Sequence, residues 1–343
     1  METRDMRTYR NRGLDRRGLR PRRVRAGLLA LTAALAVAAP PVVAETSVEP
    51  TNVRAGADRS RRSPAVTDLV VVHEVPGTDE LGMSRPSAVA LDHRGDVVIA
   101  DTGNHRVVVV GRGGELRHEF GGYGWDADRL DTPSDVCVYP GFWTYVLDEG
   151  NRRVARYDVQ GDYVDLVVPE DEAGSPVSIA VGAAGGLLLV DADTQSVLSY
   201  SQFDEKLKPV GRFGADAGGL LAPSDVAAGP SREVAVADPG RGSVEVFDEF
   251  GAQLFSISTP DTLDPLDIAF DELGNVLVVD GNRNRLLAFR GGGGPHTASL
   301  DGGDDFRITA VSSGVSGELA VLDGESGRVR LVEMVYGVDA ARR

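Results

Sequence analysis

Beyond residue 66 the hydrophobic positions come in short runs, β-branched or alternating, cut by glycine-rich turns. No segment there repeats apolar residues at the 3.6-residue period of an amphipathic helix, so the pattern predicts strands throughout. A longer repeat orders the runs. A β-rich run ends in aspartate at Asp101, Asp148, Asp191, Asp238, Asp280 and Asp323, spaced 47, 43, 47, 42 and 43 residues apart. A proline stands fifteen residues before each of the first five, at Pro86, Pro133, Pro176, Pro223 and Pro265, and Ile308 holds that place in the sixth unit.

Every unit then reads alike. After the proline comes a short strand (SAVAL, SDVCV, VSIAV, SDVAA, LDIAF, TAVSS), then a turn with Gly95, Gly185, Gly274 or Gly317, then the strand that ends in Asp. A tight loop leads to a third strand, and a weaker fourth closes most units. Four short strands every 42–47 residues describe a propeller blade. The fold class expected is therefore all-β, a six-bladed β-propeller of four-stranded antiparallel blades. The sixth unit lacks a fourth strand, and residues 67–76 supply one, so blade six is closed by the N-terminal strand and no sheet edge is left open. Residues 67–335 form this single ring and 336–343 a short tail.

The first 66 residues belong to another class. Residues 1–25 hold ten Arg and three acids, Ala26 to Ala39 carry no charge, and Val42-Val43-Ala44 offers small residues for cleavage before Glu45. Basic region, short apolar core and small-residue site are read as a secretory signal over 1–44. Left uncleaved, the same run would be an N-terminal anchor, although a spanning helix takes about 20 residues. Arg22-Arg23 leaves the twin-arginine route open beside the general one. Residues 45–66 are polar and punctuated by Pro and Gly, as in a flexible linker. The expected destination is periplasmic or extracellular, with no membrane attachment after cleavage.

Composition sharpens this. Formal net charge is −16, and without residues 1–44 the remainder holds 26 basic and 49 acidic residues, a net of −23. Such a surface repels phosphate backbones, so no nucleic-acid partner is expected. A single cysteine excludes a disulfide scaffold and multi-cysteine metal sites.

Unit one, with Pro86, Val89, Gly95 and the run Ile99-Ala100-Asp101-Thr102-Gly103-Asn104-His105-Arg106-Val107, resembles the NHL repeat. Unit two keeps Asp148, Gly150, Asn151, Arg152, Arg153 and Val154, and unit five keeps Asp280, Asn282, Asn284, Arg285 and Leu286. Units three, four and six depart, with Ser196 and Ser243 in place of the arginine and Thr194, Arg241 and Ser326 in place of the asparagine. The resemblance implies a six-bladed propeller. It leaves activity open, since relatives include protein and RNA binders, envelope proteins and enzymes.

The repeated Asp and the Arg five residues on (101/106, 148/153, 280/285, 323/328) are read as a scaffold pair across the tight loop. Gly103, Gly150 and Gly240 are expected to supply a positive φ there. On the innermost strand, Ala88, Asp135, Ser178, Asp225, Asp267 and Ala310 share one register and ring the axis, with Cys137 among the small residues of the next ring. Asp135, Asp225 and Asp267 either hold a cation such as Ca²⁺ at the channel mouth or cap nearby N–H groups.

Eight of the twenty aromatics fall between residues 120 and 157. Tyr123 and Trp125 lie in the long connection from blade one to blade two. With Asn104, Asn151 and Arg153 of the Asp-Gly-Asn loops, they make up the expected binding face, joined by the long connection at 213–222. The function expected is a non-catalytic, monomeric binding module with a protein or glycan partner in the envelope or outside the cell. The alternative is a metal-dependent propeller enzyme, lactonase- or lyase-like, working at the channel mouth.

Overall fold

The structure is a computed structural model that describes residues 64–75, 79–168, 174–182, 184–201, 206–210 and 219–337. The expected signal, the linker up to residue 63 and the last six residues lie outside it, as does most of the 213–222 connection.

Six four-stranded antiparallel sheets make up the described chain. Blades one to five span 88–121, 133–168, 176–209, 225–257 and 265–301, each with its strands paired in sequence order. Blade six joins three strands over 308–336 to Val66–Val75, which pairs with Val329–Tyr336 in register from Val66 against Tyr336 to Val75 against Val329. The closing strand thus starts one residue earlier than the 67–76 expected from sequence, and its partner runs one residue further. The only helical elements among the described residues are three-residue 3-10 turns.

The first strands of neighbouring blades pack on one another around the axis. Between successive blades lie six apolar clusters, one per interface, each built from alternating residues of both sheets. Between blades one and two, for example, Val98, Val107 and Val109 meet Val136, Val146 and Tyr157 around the fully buried Leu130. Burial on both faces explains why most second strands read as near-continuous Val, Ile, Leu and Ala, as in Val97–Asp101 and Val276–Asp280.

Antiparallel order gives the ring two unlike faces. Blade-to-blade connections and the turns between second and third strands lie on one, the connection face. The first and third hairpin turns lie on the other, the hairpin face. Gly95, Gly185, Gly274 and Gly317 take φ of +75° to +79° or +81° in the first hairpins, the left-handed region that favours glycine. The described chain begins on the hairpin face. The buried Asn275 amide donates to the Pro64 carbonyl (3.1 Å) and to Asp271 (2.6 Å), which also accepts the Tyr336 hydroxyl (3.2 Å). Pro64, the first described residue, is thus tied to the hairpin face.

Candidate functional site

Two places concentrate chemistry: the loop turn that each blade repeats on the connection face, and the axial channel. The loop is built from the blade Asp. Arg106, Arg153 and Arg285 each donate to the Asp five residues earlier, at 2.7, 2.7 and 3.0 Å, and Arg328 reaches Asp323 at 3.4 Å. These carboxylates also accept backbone N–H groups from the incoming connection, Ser84 on Asp101 (2.7 Å), Asp131 on Asp148 (2.6 Å) and Asp264 on Asp280 (3.4 Å), and Asp238 of blade four likewise accepts Leu221 and Ala222 (2.8 and 2.9 Å). One buried charge thus ties connection, turn and third strand together.

The glycine after that Asp has a different role from the one expected. Gly103, Gly150 and Gly240 do not take a positive φ; His105, Arg152, Gln195 and Asn284 do, just before the third strand. Glycine is needed for closeness. A Cβ on Gly150 would sit 2.6 Å from the Asp131 carbonyl oxygen, which its N–H meets at 2.8 Å, and one on Gly103 would sit 2.5 Å from that of Ser84.

In blade two this device carries a longer connection. Arg153, 6% exposed, donates to Asp148 and to the carbonyls of Trp125 (3.3 Å), Asp126 (2.9 Å) and Arg129 (2.6 Å). The buried Asn151 amide donates to Gly124 O (3.0 Å) and Asp148 (2.7 Å). Leu130 plugs the core with no exposed surface, and its N–H and carbonyl bond Gly122 and Gly124. The loop is held by its backbone, and its side chains are left outward. Tyr123 is 59% and Trp125 72% exposed. Their rings meet edge-on at 5.8 Å, and Tyr123 meets His105 edge-on at 4.9 Å. His105 Nδ1 accepts the Thr132 N–H (3.0 Å), which fixes that imidazole.

The five residues assigned to the binding face therefore divide. Tyr123 and Trp125 form an exposed aromatic ledge. Asn151 and Arg153 are buried behind it, and Asn104 is spent on Gly82 O (2.9 Å) and Asp101 (2.8 Å). Asn151 and Arg153 hold the loops from inside, while Asn104 stays exposed at the surface with its amide bonded to the loop. The grip of Arg153 on three carbonyls was not legible from sequence; its one signal was the unusual length of the connection that it folds.

The channel is a shaft of about 170 Å³ whose lining runs from Asp135, Asp225 and Asp267 to Pro140 and Val315 at the hairpin face. The aspartates stitch blade to blade. Asp135 accepts the Ile179 N–H (2.7 Å), Asp225 that of Ile268 (2.8 Å) and Asp267 that of Val311 (2.8 Å). Ser178 accepts the Val226 N–H (3.3 Å) and donates to Asp225 (2.5 Å). Each contact runs from one inner strand to the next, from blade two round to blade six. Ala88 and Ala310 contribute no such bond, and blade one is joined to blade two instead by Ser87 Oγ and Thr102 Oγ1, which donate to the Ser134 (2.7 Å) and Pro133 (2.8 Å) carbonyls.

The second oxygens of Asp135 and Asp267 accept their own next N–H groups, Val136 (2.7 Å) and Ile268 (2.8 Å). All six oxygens of the three aspartates thus meet protein donors, and among the described residues no group of three His, Cys, Asp or Glu is arranged to hold a metal ion. Burial, then the Asp225 charge, pushes the Asp135 carboxyl up to about 7. Burial raises Asp225 as well, and Asp267 well above the usual carboxylate range, next to Asp225 with which it shares a hydrogen bond. Burial also pushes the Cys137 thiol well up, so it stays a neutral wall group.

A family model for the NHL repeat matches residues 83–110, the first blade up to the end of its third strand. The chain is a six-bladed propeller carrying the NHL repeat. The propeller is 27% identical over 223 residues to the human E3 ubiquitin-protein ligase NHLRC1, covering 59% of this chain and 55% of that protein. It is 24% identical over 128 residues to the Drosophila melanogaster Protein brain tumor, covering 37% of this chain and 12% of the relative. The NHL propeller thus spans about half of one curated relative and a small part of the other. Among solved structures it resembles a streptogramin B lyase, with a TM-score of 0.57 and 11% identity over 74% of this chain and 94% of that one. At that identity the likeness is one of fold.

Proposed function

We propose that this NHL propeller is exported and acts as a non-catalytic binding module, presenting its connection face to a partner in the cell envelope or outside the cell. The observation that carries the reading is the ledge of Tyr123 and Trp125, two large exposed aromatics on a loop whose backbone is held by Arg153 and Asn151. Pre-organised aromatics lose little entropy on binding and are typical energetic centres of interfaces.

The rival, a metal-dependent hydrolase or lyase at the channel mouth, has less support. The three axial aspartates are engaged in holding the blades together, and no histidine lines the shaft among the described residues. The test is affinity capture from envelope and medium fractions with the full chain and with Tyr123→Ala/Trp125→Ala. The reading expects at least one partner lost from the variant. Identical captured sets would refute it. Export is checked by amino-terminal sequencing of the protein outside the cytoplasm, with a start near Glu45 expected.

A further inference from the structure

The surroundings of the ledge select among partners. Asp126 and Asp128 follow Trp125 on the same loop, both exposed. Glu149, also exposed, begins the adjoining 3-10 turn, whose Asn151 holds Gly124. Two arginines share this region. Arg129 turns back to donate to Gly121 O (3.2 Å), and Arg152 is exposed. The ledge thus combines π-faces with three exposed carboxylates against two guanidinium groups, a local excess of negative charge on a chain of net charge −16.

Resting on the binding-module reading, we propose that the ledge docks a basic polypeptide segment, with an Arg or Lys side chain stacked on Trp125 or Tyr123 and its charge met by Asp126, Asp128 and Glu149. A cation over an aromatic ring is attracted to the negative π-face. A guanidinium also stacks flat while its edge donates to carboxylates, so one side chain satisfies both features of the site. An acidic segment would meet like charge here. A neutral glycan could stack on the rings and donate hydroxyls to the carboxylates, but it carries no charge to match theirs.

The experiment is calorimetric titration of the full chain with three probes: a hexa-arginine peptide, a hexa-glutamate peptide and cellohexaose. Hexa-arginine is expected to bind, more weakly as salt rises. Tyr123→Ala/Trp125→Ala leaves every charge in place and should weaken binding roughly tenfold or more. Asp126→Asn/Asp128→Asn leaves the rings and should weaken it by several-fold and flatten the salt dependence. Both pairs are exposed, so the variants are expected to fold as the parent does. Hexa-arginine binding that survives loss of the rings would be diffuse charge attraction and overturns the proposal. Failure of hexa-arginine to bind, or equal binding of hexa-glutamate, overturns it as well. Cellohexaose bound through the rings, without hexa-arginine, would overturn the basic-segment proposal while leaving the ledge as the contact surface. A partner captured independently of Tyr123 and Trp125 would remove the underlying reading itself.

Discussion

Replacing Arg153 by leucine isolates the device that holds the ledge. The change removes the Nε bond to Asp148 (2.7 Å) and three bonds to the Trp125, Asp126 and Arg129 carbonyls. Asp148 has no exposed surface, so its charge loses its counter-ion without access to water. Breaking a buried pair on one side costs about 3–5 kcal/mol. Two relaxations lower this. Asp148 keeps the Asp131 N–H and the Asn151 amide, and burial already pushes its carboxyl up, so it can take a proton. The expected loss is about 3 kcal/mol.

Arg106→Leu is the matched control in blade one. That side chain, 23% exposed, pairs with the equally buried Asp101 and with Glu119 and holds a single carbonyl, Leu81 O; because water reaches the site, a smaller loss of about 1–2 kcal/mol is expected. The assay is urea unfolding, together with native-state amide exchange over residues 122–131. Arg153→Leu should lower the midpoint and speed exchange in that segment ahead of the rest of blade two. Arg106→Leu should leave the segment protected. Unchanged exchange over 122–131 in Arg153→Leu would refute the claim that the arginine orders the loop.

Other consequences follow from the axis and the turns. A carboxyl raised in the folded state keeps a proton that the unfolded chain releases, so between about pH 4 and 7 stability falls as pH rises, by about 1.4 kcal/mol per pH unit for each such proton. Urea unfolding should therefore show greater stability at pH 5.5 than at pH 7.5, and Asp267→Asn should flatten the difference. His118, lowered by burial, pulls the other way in acid, which makes that variant comparison the decisive one. Ser178→Ala removes one stitch and leaves Asp225 and the Val226 N–H each short of a partner, a loss of roughly 1–3 kcal/mol in the same assay. Gly150→Ala forces a Cβ to 2.6 Å from a backbone oxygen and should lower the melting temperature more than Gly141→Ala, where space is open and only the φ of +77° resists, at about 1–2 kcal/mol. Equal effects would contradict the close-approach account.

The fold was legible because a propeller repeats its constraints. The Pro-to-Asp spacing marks where each inner strand starts and where each second strand meets the loop turn, and the missing fourth strand in the last unit pointed to residues 67–76, one residue from the observed Val66–Val75. What the sequence left open was the partner of each polar group. Alternation placed Asp135, Asp225 and Asp267 on one ring, but whether their oxygens meet a cation or the neighbouring strand's N–H depends on the stagger between blades, which no local pattern encodes. Asn151 and Arg153 looked like surface residues for the same reason, since the connection that folds over them comes from the preceding blade. The roles of Gly103 and Gly150 were misassigned because glycine serves positive φ and close approach alike, and only the distance to Ser84 and Asp131 separates the two.

The most direct test is site-specific photo-crosslinking with a benzophenone side chain placed at Trp125 or at Phe250. Both positions are exposed, at 72% and 77%, and they lie on opposite faces of the ring, Phe250 in a third hairpin turn of the hairpin face. In cells producing the full chain, a discrete adduct from position 125 and none from position 250 is the result expected of a binding module that works through its connection face. An adduct from position 250 alone, or equal adducts from both, would contradict it.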